Sequence, residues 1–134
     1  MSEGTSPSQP VPVPGYAGHA DAAARRLSDQ QVRAFVGEIL TDLQDRLPVG
    51  DSRERHETLL MRCEFADQRV IRAIEEDRFA KADAVAAVEE YDRKLAAAGG
   101  ACRTVDAEGL AGCLDTLERA FAERAAGIEG FLKR

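Results

Sequence analysis

Tryptophan is absent from the 134-residue sequence, and phenylalanine and tyrosine bring the aromatic fraction to only 5%. A core with so few rings must be built from Leu, Val, Ile and Ala, which suits closely packed helices better than a sheet. No run of alternating Val, Ile, Thr or Tyr is bounded by turn residues, so strands are not expected. Clustered cations are also missing. The formal charge is −6, and basic pairs such as Arg25-Arg26 do not extend into a patch, which argues against a nucleic-acid module because phosphate binding needs grouped Lys and Arg. No apolar run approaches the length of a bilayer span, and the N-terminus lacks the charged and apolar regions of a secretory signal. Cysteine is scarce and odd in number, three in all. Reduced thiols in the cytoplasm are therefore expected.

Glycine and proline are missing from the 44 residues between Ser52 and Leu95, and this stretch carries a seven-residue apolar repeat. One position of the repeat holds Leu60, Asp67, Ile74, Lys81, Val88 and Leu95; the other holds Cys63, Val70, Asp77, Ala84 and Tyr91. Apolar residues three and four apart form a stripe on one side of a helix, and other helices must cover it. The chain therefore reads as an all-α, up-down bundle of four helices. Charged residues fall at successive stripe positions around Asp77 and Lys81, which favours a turn back near Asp77; the alternative is one unbroken helix of about 66 Å.

The remaining helices follow from the same rhythm. Residues 1–27 hold Pro7, Pro10, Pro12 and Pro14 among small polar residues and read as a disordered, proline-rich tail; a docking peptide is the alternative. His19 lies in it without an evident role. The bundle domain spans 28–134. Ser28 and Gln31 have capping-box spacing, and Val32, Phe35, Val36, Ile39, Leu40, Leu43 and Leu47 trace an apolar face up to Pro48. Gly99-Gly100 should stop the third helix, and Thr104 or Asp106 should cap the fourth. Leu110, Cys113, Leu114, Leu117, Phe121, Ile128 and Phe131 or Leu132 form its apolar face. This helix should outrun its neighbours, leaving Ile128, Phe131 and Leu132 partly exposed as a partner site, unless they pack on the first helix or on a dimer mate.

Few residues invite chemistry. His56-Glu57 resembles the phosphoacceptor pair of histidine kinase dimerisation domains, in which an exposed imidazole takes the phosphoryl group; the bland reading is a surface histidine in a first helical turn. His56, Cys63 and Asp67 share a helix face, but a seven-residue spacing separates ligands by about 10 Å. No metal site or cofactor is expected, and Cys63 and Cys113 read as small core residues. Asp67 and Arg124 each interrupt an apolar stripe. They either pair across the bundle and fix its register or reach solvent at the stripe edges.

Glu57-Thr-Leu-Leu60, Val70-Ile-Arg-Ala-Ile-Glu75-Glu-Asp-Arg-Phe79 and Glu89-Glu-Tyr-Asp-Arg-Lys-Leu95 together resemble flagellar and type III export chaperones. The resemblance spans about residues 57–95 and rests on helical periodicity with an acidic, aromatic turn. It implies a small cytoplasmic helical protein that holds an export substrate in an apolar groove. With no reactive constellation legible, the expected function is a non-enzymatic protein-binding module, adaptor or chaperone-like. A histidine phosphotransfer domain using His56 is the alternative.

Overall fold

Asp21 opens helix α1 (Ala22–Arg46): its carboxylate accepts from the Ala24 amide at 2.8 Å and its carbonyl from the Arg25 amide, satisfying first-turn donors that have no partner within the helix. The computed structural model describes residues 11–46, 50–75 and 82–132, with backbone alone at 51, 75, 82–83 and 131–132. Val32, Val36, Ile39, Leu40 and Leu43 form the buried face of α1. The helix starts six residues before Ser28, and the supposed capping box does something else. Ser28 Oγ donates to the Gly18 carbonyl at 2.6 Å, while Gln31 accepts from the Ala17 amide and donates to the Gly15 carbonyl.

These bonds fasten residues 11–21 to the bundle as a strap. Val11 and Val13 are buried in the main core cluster, and Gly15 and Gly18 turn the backbone through φ of 72° and 75°, a region open chiefly to glycine. The expected tail thus ends sooner than residue 27, because two valines and the hydrogen-bonding side chains of α1 give residues 11–21 a face to bury. Residues 1–10 lie outside the described residues.

A 3-10 turn at Gly50–Ser52 leads into α2 (Arg53–Glu64), which is separated from α3 (Gln68–Glu75) by three residues. Phe65 is extended (φ −112°, ψ 134°), and Asp67 then caps α3, its Oδ1 accepting from the Arg69 amide at 2.8 Å. This break needs neither glycine nor proline: an aspartate immediately ahead of the next helix competes successfully for the backbone. The turn expected at Asp77 falls in residues 76–81, outside the described residues. The single unbroken helix is excluded, because α4 (Ala82–Ala101) is a separate element that runs back along the bundle.

Helix α4 runs through Gly99-Gly100 instead of stopping there. A Cβ at Gly99 would lie 3.1 Å from Val36 Cγ2, so this glycine lets α1 approach closely. A 3-10 turn follows at Cys102–Thr104, Asp106 accepts from the Gly109 amide at 2.9 Å, and α5 (Leu110–Leu132) completes the chain.

The chain makes four passes along the bundle, α2 and α3 together forming the second, since Arg55 and Arg69 meet successive levels of α5 at Ala111 and Glu129; chain neighbours are not always spatial neighbours. Helix α1 packs against α2 and α4, and α5 against α4 and α3. Arg33 reaches the Cys63 carbonyl and His56 reaches the Leu40 carbonyl, so α1 and α2 are antiparallel. Gly99 lies on Val36 and Arg46 bonds the Cys102 carbonyl, so α1 and α4 run the same way. Helices α3 and α5 are therefore adjacent, not diagonal as a simple ring order would place them.

Cys102 and Cys113 form a disulfide across the α4–α5 turn, leaving Cys63 as the free, buried thiol. Reduced thiols are thus not what the structure shows at 102 and 113. Disulfides persist chiefly in oxidising surroundings, so the cysteine count gives no support to a cytoplasmic location. No described helix is long and apolar enough to cross a membrane.

Gly127 on α5 faces the Tyr91 ring of α4, where a Cβ would come within 2.3 Å of ring atoms. Gly127→Ala should therefore lower stability by about 1–3 kcal/mol, since overpacking outweighs the better helix propensity. Gly112, with nothing within 4 Å of a built Cβ, should respond oppositely, Gly112→Ala gaining up to about 1 kcal/mol. Urea unfolding of the two variants against wild type reads both signs.

Candidate functional site

The core is divided by a charged layer. On one side, Val32, Val36, Leu95, Leu114, Leu117 and Phe121 belong to the main cluster; on the other, Val70, Ala73, Ile74, Val88 and Ile128 form a second. Between them α4 supplies Asp92, α5 supplies Arg124 and α1 supplies Asp29, all buried. Arg124 Nε donates to Asp92 Oδ1 at 2.8 Å and its Nη2 to Asp29 Oδ1 at 2.7 Å. Asp29 Oδ2 accepts from Arg33 Nε at 3.0 Å. The strap closes the layer: the Tyr16 hydroxyl donates to Asp92 Oδ2, and His19 Nε2 lies 2.9 Å from the same oxygen.

Burial alone would raise the Asp92 carboxyl, but the Arg124 charge with bonds from His19, Tyr16 and Arg124 outweighs it, and its pKa is held below the usual range. Burial works against the Arg124 cation too, and Asp92 and Asp29 reverse it, raising its pKa. Burial, then the Asp92 charge, pushes the Tyr16 phenol upward. A complementary set of buried charges with every guanidinium and carboxylate matched fixes helix register. Arg124 does pair across the bundle, with Asp29 and Asp92. Asp67 instead bonds Arg69, its own neighbour in the α3 cap.

Two other expected sites are relocated by the structure. Ile128 is fully buried in the second cluster, because α3 and α4 both reach that end of α5, and so it is not a partner-facing residue. The side chains of Phe131 and Leu132 lie outside the described residues. His56 is 1% exposed, and its Nε2–H donates to the Leu40 carbonyl at 2.6 Å. It locks α2 to α1 and is not the exposed imidazole that phosphoryl acceptance requires. Among the described residues no group of His, Cys, Asp and Glu is arranged to hold a metal ion. Burial pushes the Cys63 thiol up to about 12, so it is protonated at neutral pH and a poor nucleophile.

Among the described residues, large apolar side chains are exposed at Leu27 on α1 and, as a pair, at the α2–α3 break. Met61 and Phe65 are 59% and 62% exposed, one helical turn apart, and both line a groove of about 380 Å³ between α2, α3 and α5. Val70, Phe121 and Ala125 form its apolar floor, and Arg124 reaches it from the charged layer. No protein-family model, curated protein or solved structure matches this chain. Met61 and Phe65 carried a legible signal: they are apolar yet lie off the stripe of Leu60, Cys63 and Val70, so a helix that buries the stripe must expose them.

Proposed function

We propose that the chain is a non-enzymatic protein-binding module, adaptor or chaperone-like, whose contact surface is the groove beneath Met61 and Phe65. The observation that carries this reading is the exposure of those two large apolar side chains beside a preformed cleft. Met and Phe are characteristic of interface cores, and paired exposed apolar groups on a soluble bundle mark contact sites. The export-chaperone resemblance, in which an apolar helical groove holds a client, points the same way. The charged layer and the strap support the function indirectly, by fixing the helices that frame the cleft.

The test is a photo-crosslinker placed at Thr58, an exposed residue lining the groove, with a second at exposed Lys94 on α4 as control. In the native cell the Thr58 probe should yield a discrete adduct that Met61→Ser/Phe65→Ser removes without lowering the melting temperature. Adducts from both positions alike, or an adduct indifferent to the double substitution, would sink the reading.

A further inference from the structure

From the floor of this groove we infer that it takes an uncharged amide carbonyl carried beside an apolar side chain, the carbonyl accepting from Arg124 Nη1; the inference rests on the protein-binding reading and names what the partner offers. A guanidinium donates from Nε and from both Nη nitrogens. Arg124 spends Nε on Asp92 and Nη2 on Asp29, and its Nη1 bonds no described residue. Arg124 is 4% exposed, yet Nη1 is not among the sealed, unpartnered atoms of the described residues, so it meets solvent. Arg124 lines the groove beneath Met61 and Phe65, and that is the opening Nη1 faces. Around it the floor is Val70, Phe121 and Ala125, all buried. The groove thus holds a buried donor in an apolar setting. An occupant that expels water from this floor must return an acceptor, because a buried donor left unmet costs more than a typical hydrogen bond returns.

Charge decides which acceptor. Arg33 and Arg124 face Asp29 and Asp92, cation for anion, and Arg69 on the rim is held by Asp67 and Glu129. Arg62 stands exposed at the rim, where salt and water screen it. A ligand carboxylate would leave water for a floor whose cation already has Asp29 and Asp92 beside it, and no net charge would repay its desolvation. An ammonium group brings no acceptor at all. An amide carbonyl is uncharged and loses less on leaving water. A volume of about 380 Å³ lies at the small end of ligand sites and suits one side chain with its peptide group. A partner presents that group wherever a main-chain carbonyl is not paired within its own fold.

The experiment titrates the full chain, followed by NMR, with N-methyloctanamide, octanoate and octylammonium, which share an alkyl chain and differ in the head group. N-methyloctanamide should bind saturably and shift the Arg124 guanidinium resonances downfield together with the Val70 and Ala125 methyls. Octanoate and octylammonium should bind at least about tenfold more weakly. Phe65→Ser should weaken the amide several-fold by removing an apolar wall. Arg124→Lys keeps the charge but lacks Nη1, and should reduce the amide to the level of octylammonium. Should that variant fail to fold, the wild-type resonances decide alone: methyl shifts in the groove without a guanidinium shift would overturn the assignment. Octanoate binding as tightly as the amide would overturn it as well, giving the floor to an anion. Equal binding of all three probes, or no saturable shift in the groove with N-methyloctanamide, would end the proposal. The Thr58 crosslink is read separately, so failure of these probes does not decide the parent reading.

Discussion

Arg124→Met should lower the free energy of unfolding by about 3–5 kcal/mol, the loss expected when one member of a buried ion cluster is removed. Arg124 is 4% exposed, and its guanidinium bonds Asp92 and Asp29 at 2.8 and 2.7 Å. Methionine fills much of the volume but leaves two carboxylates facing an apolar interior. Replacing all three members by apolar residues of similar size should recover most of the loss, because no unmatched charge remains. Guanidinium unfolding of the single and triple variants measures both effects; a single-variant loss under about 1 kcal/mol would mean the layer is not buried as described.

The same layer sets a pH signature. The Asp92 carboxyl is depressed when folded, against about 3.9 when unfolded, so protonation favours the unfolded chain. Its contribution is present above that unfolded value and is lost as pH falls through the folded one. In Arg124→Met the lowering by the cation is lost while the burial that opposes it remains, so the depression weakens. Protonation then costs the folded state less. The gap between wild type and variant should therefore be widest near neutrality and narrow in acid.

Breaking the Cys102–Cys113 bond should cost about 3 kcal/mol, the loop-closure value for an 11-residue separation. Cys102→Ala/Cys113→Ala and dithiothreitol treatment of wild type should give the same loss, and dithiothreitol should leave the double variant unchanged. The loss should concentrate where Arg46 donates to the carbonyls of Cys102, Arg103 and Val105, so hydrogen exchange should quicken first in that turn. Cys63 serves as the internal control, for its thiol is buried and unbonded. A shift under about 1 kcal/mol in both formats would show that the turn is held by Arg46 alone.

The helical class and the stripes of α1, α2 and α5 were legible because burial of Val32, Leu40, Leu59, Leu114 and Leu117 follows directly from period. Charges inside the stripes were only half legible. Asp29 lies seven residues before Val36, and Asp92 lies between Val88 and Leu95, so both sit on buried faces as Arg124 does. Their mutual pairing depended on α1, α4 and α5 meeting at one level, which period alone does not specify. Ring order misled as well: with α3 beside α5, Asp67 and Arg124 both line the groove, yet each finds a nearer partner. The strap is not legible in the sequence because proline content signals an extended chain, and an extended chain carrying Val11 and Val13 can lie in a groove as well as in water. His56 illustrates the same limit. Its place in the first turns of α2 was correct, but a half-turn of helix phase decided that it faces Leu40 and not solvent.

Ribosomal synthesis delivers Tyr16 and His19 long before the acceptor they share, since Asp92 lies 76 and 73 residues further along. At about 5–20 residues per second the nascent strap waits roughly 4–15 s for that carboxylate to appear. Pairings so distant in the chain form late, whereas the bonds to Ser28 and Gln31 join the strap to the helix that directly follows it. The strap therefore closes in two stages, and its second latch waits for the fourth helix.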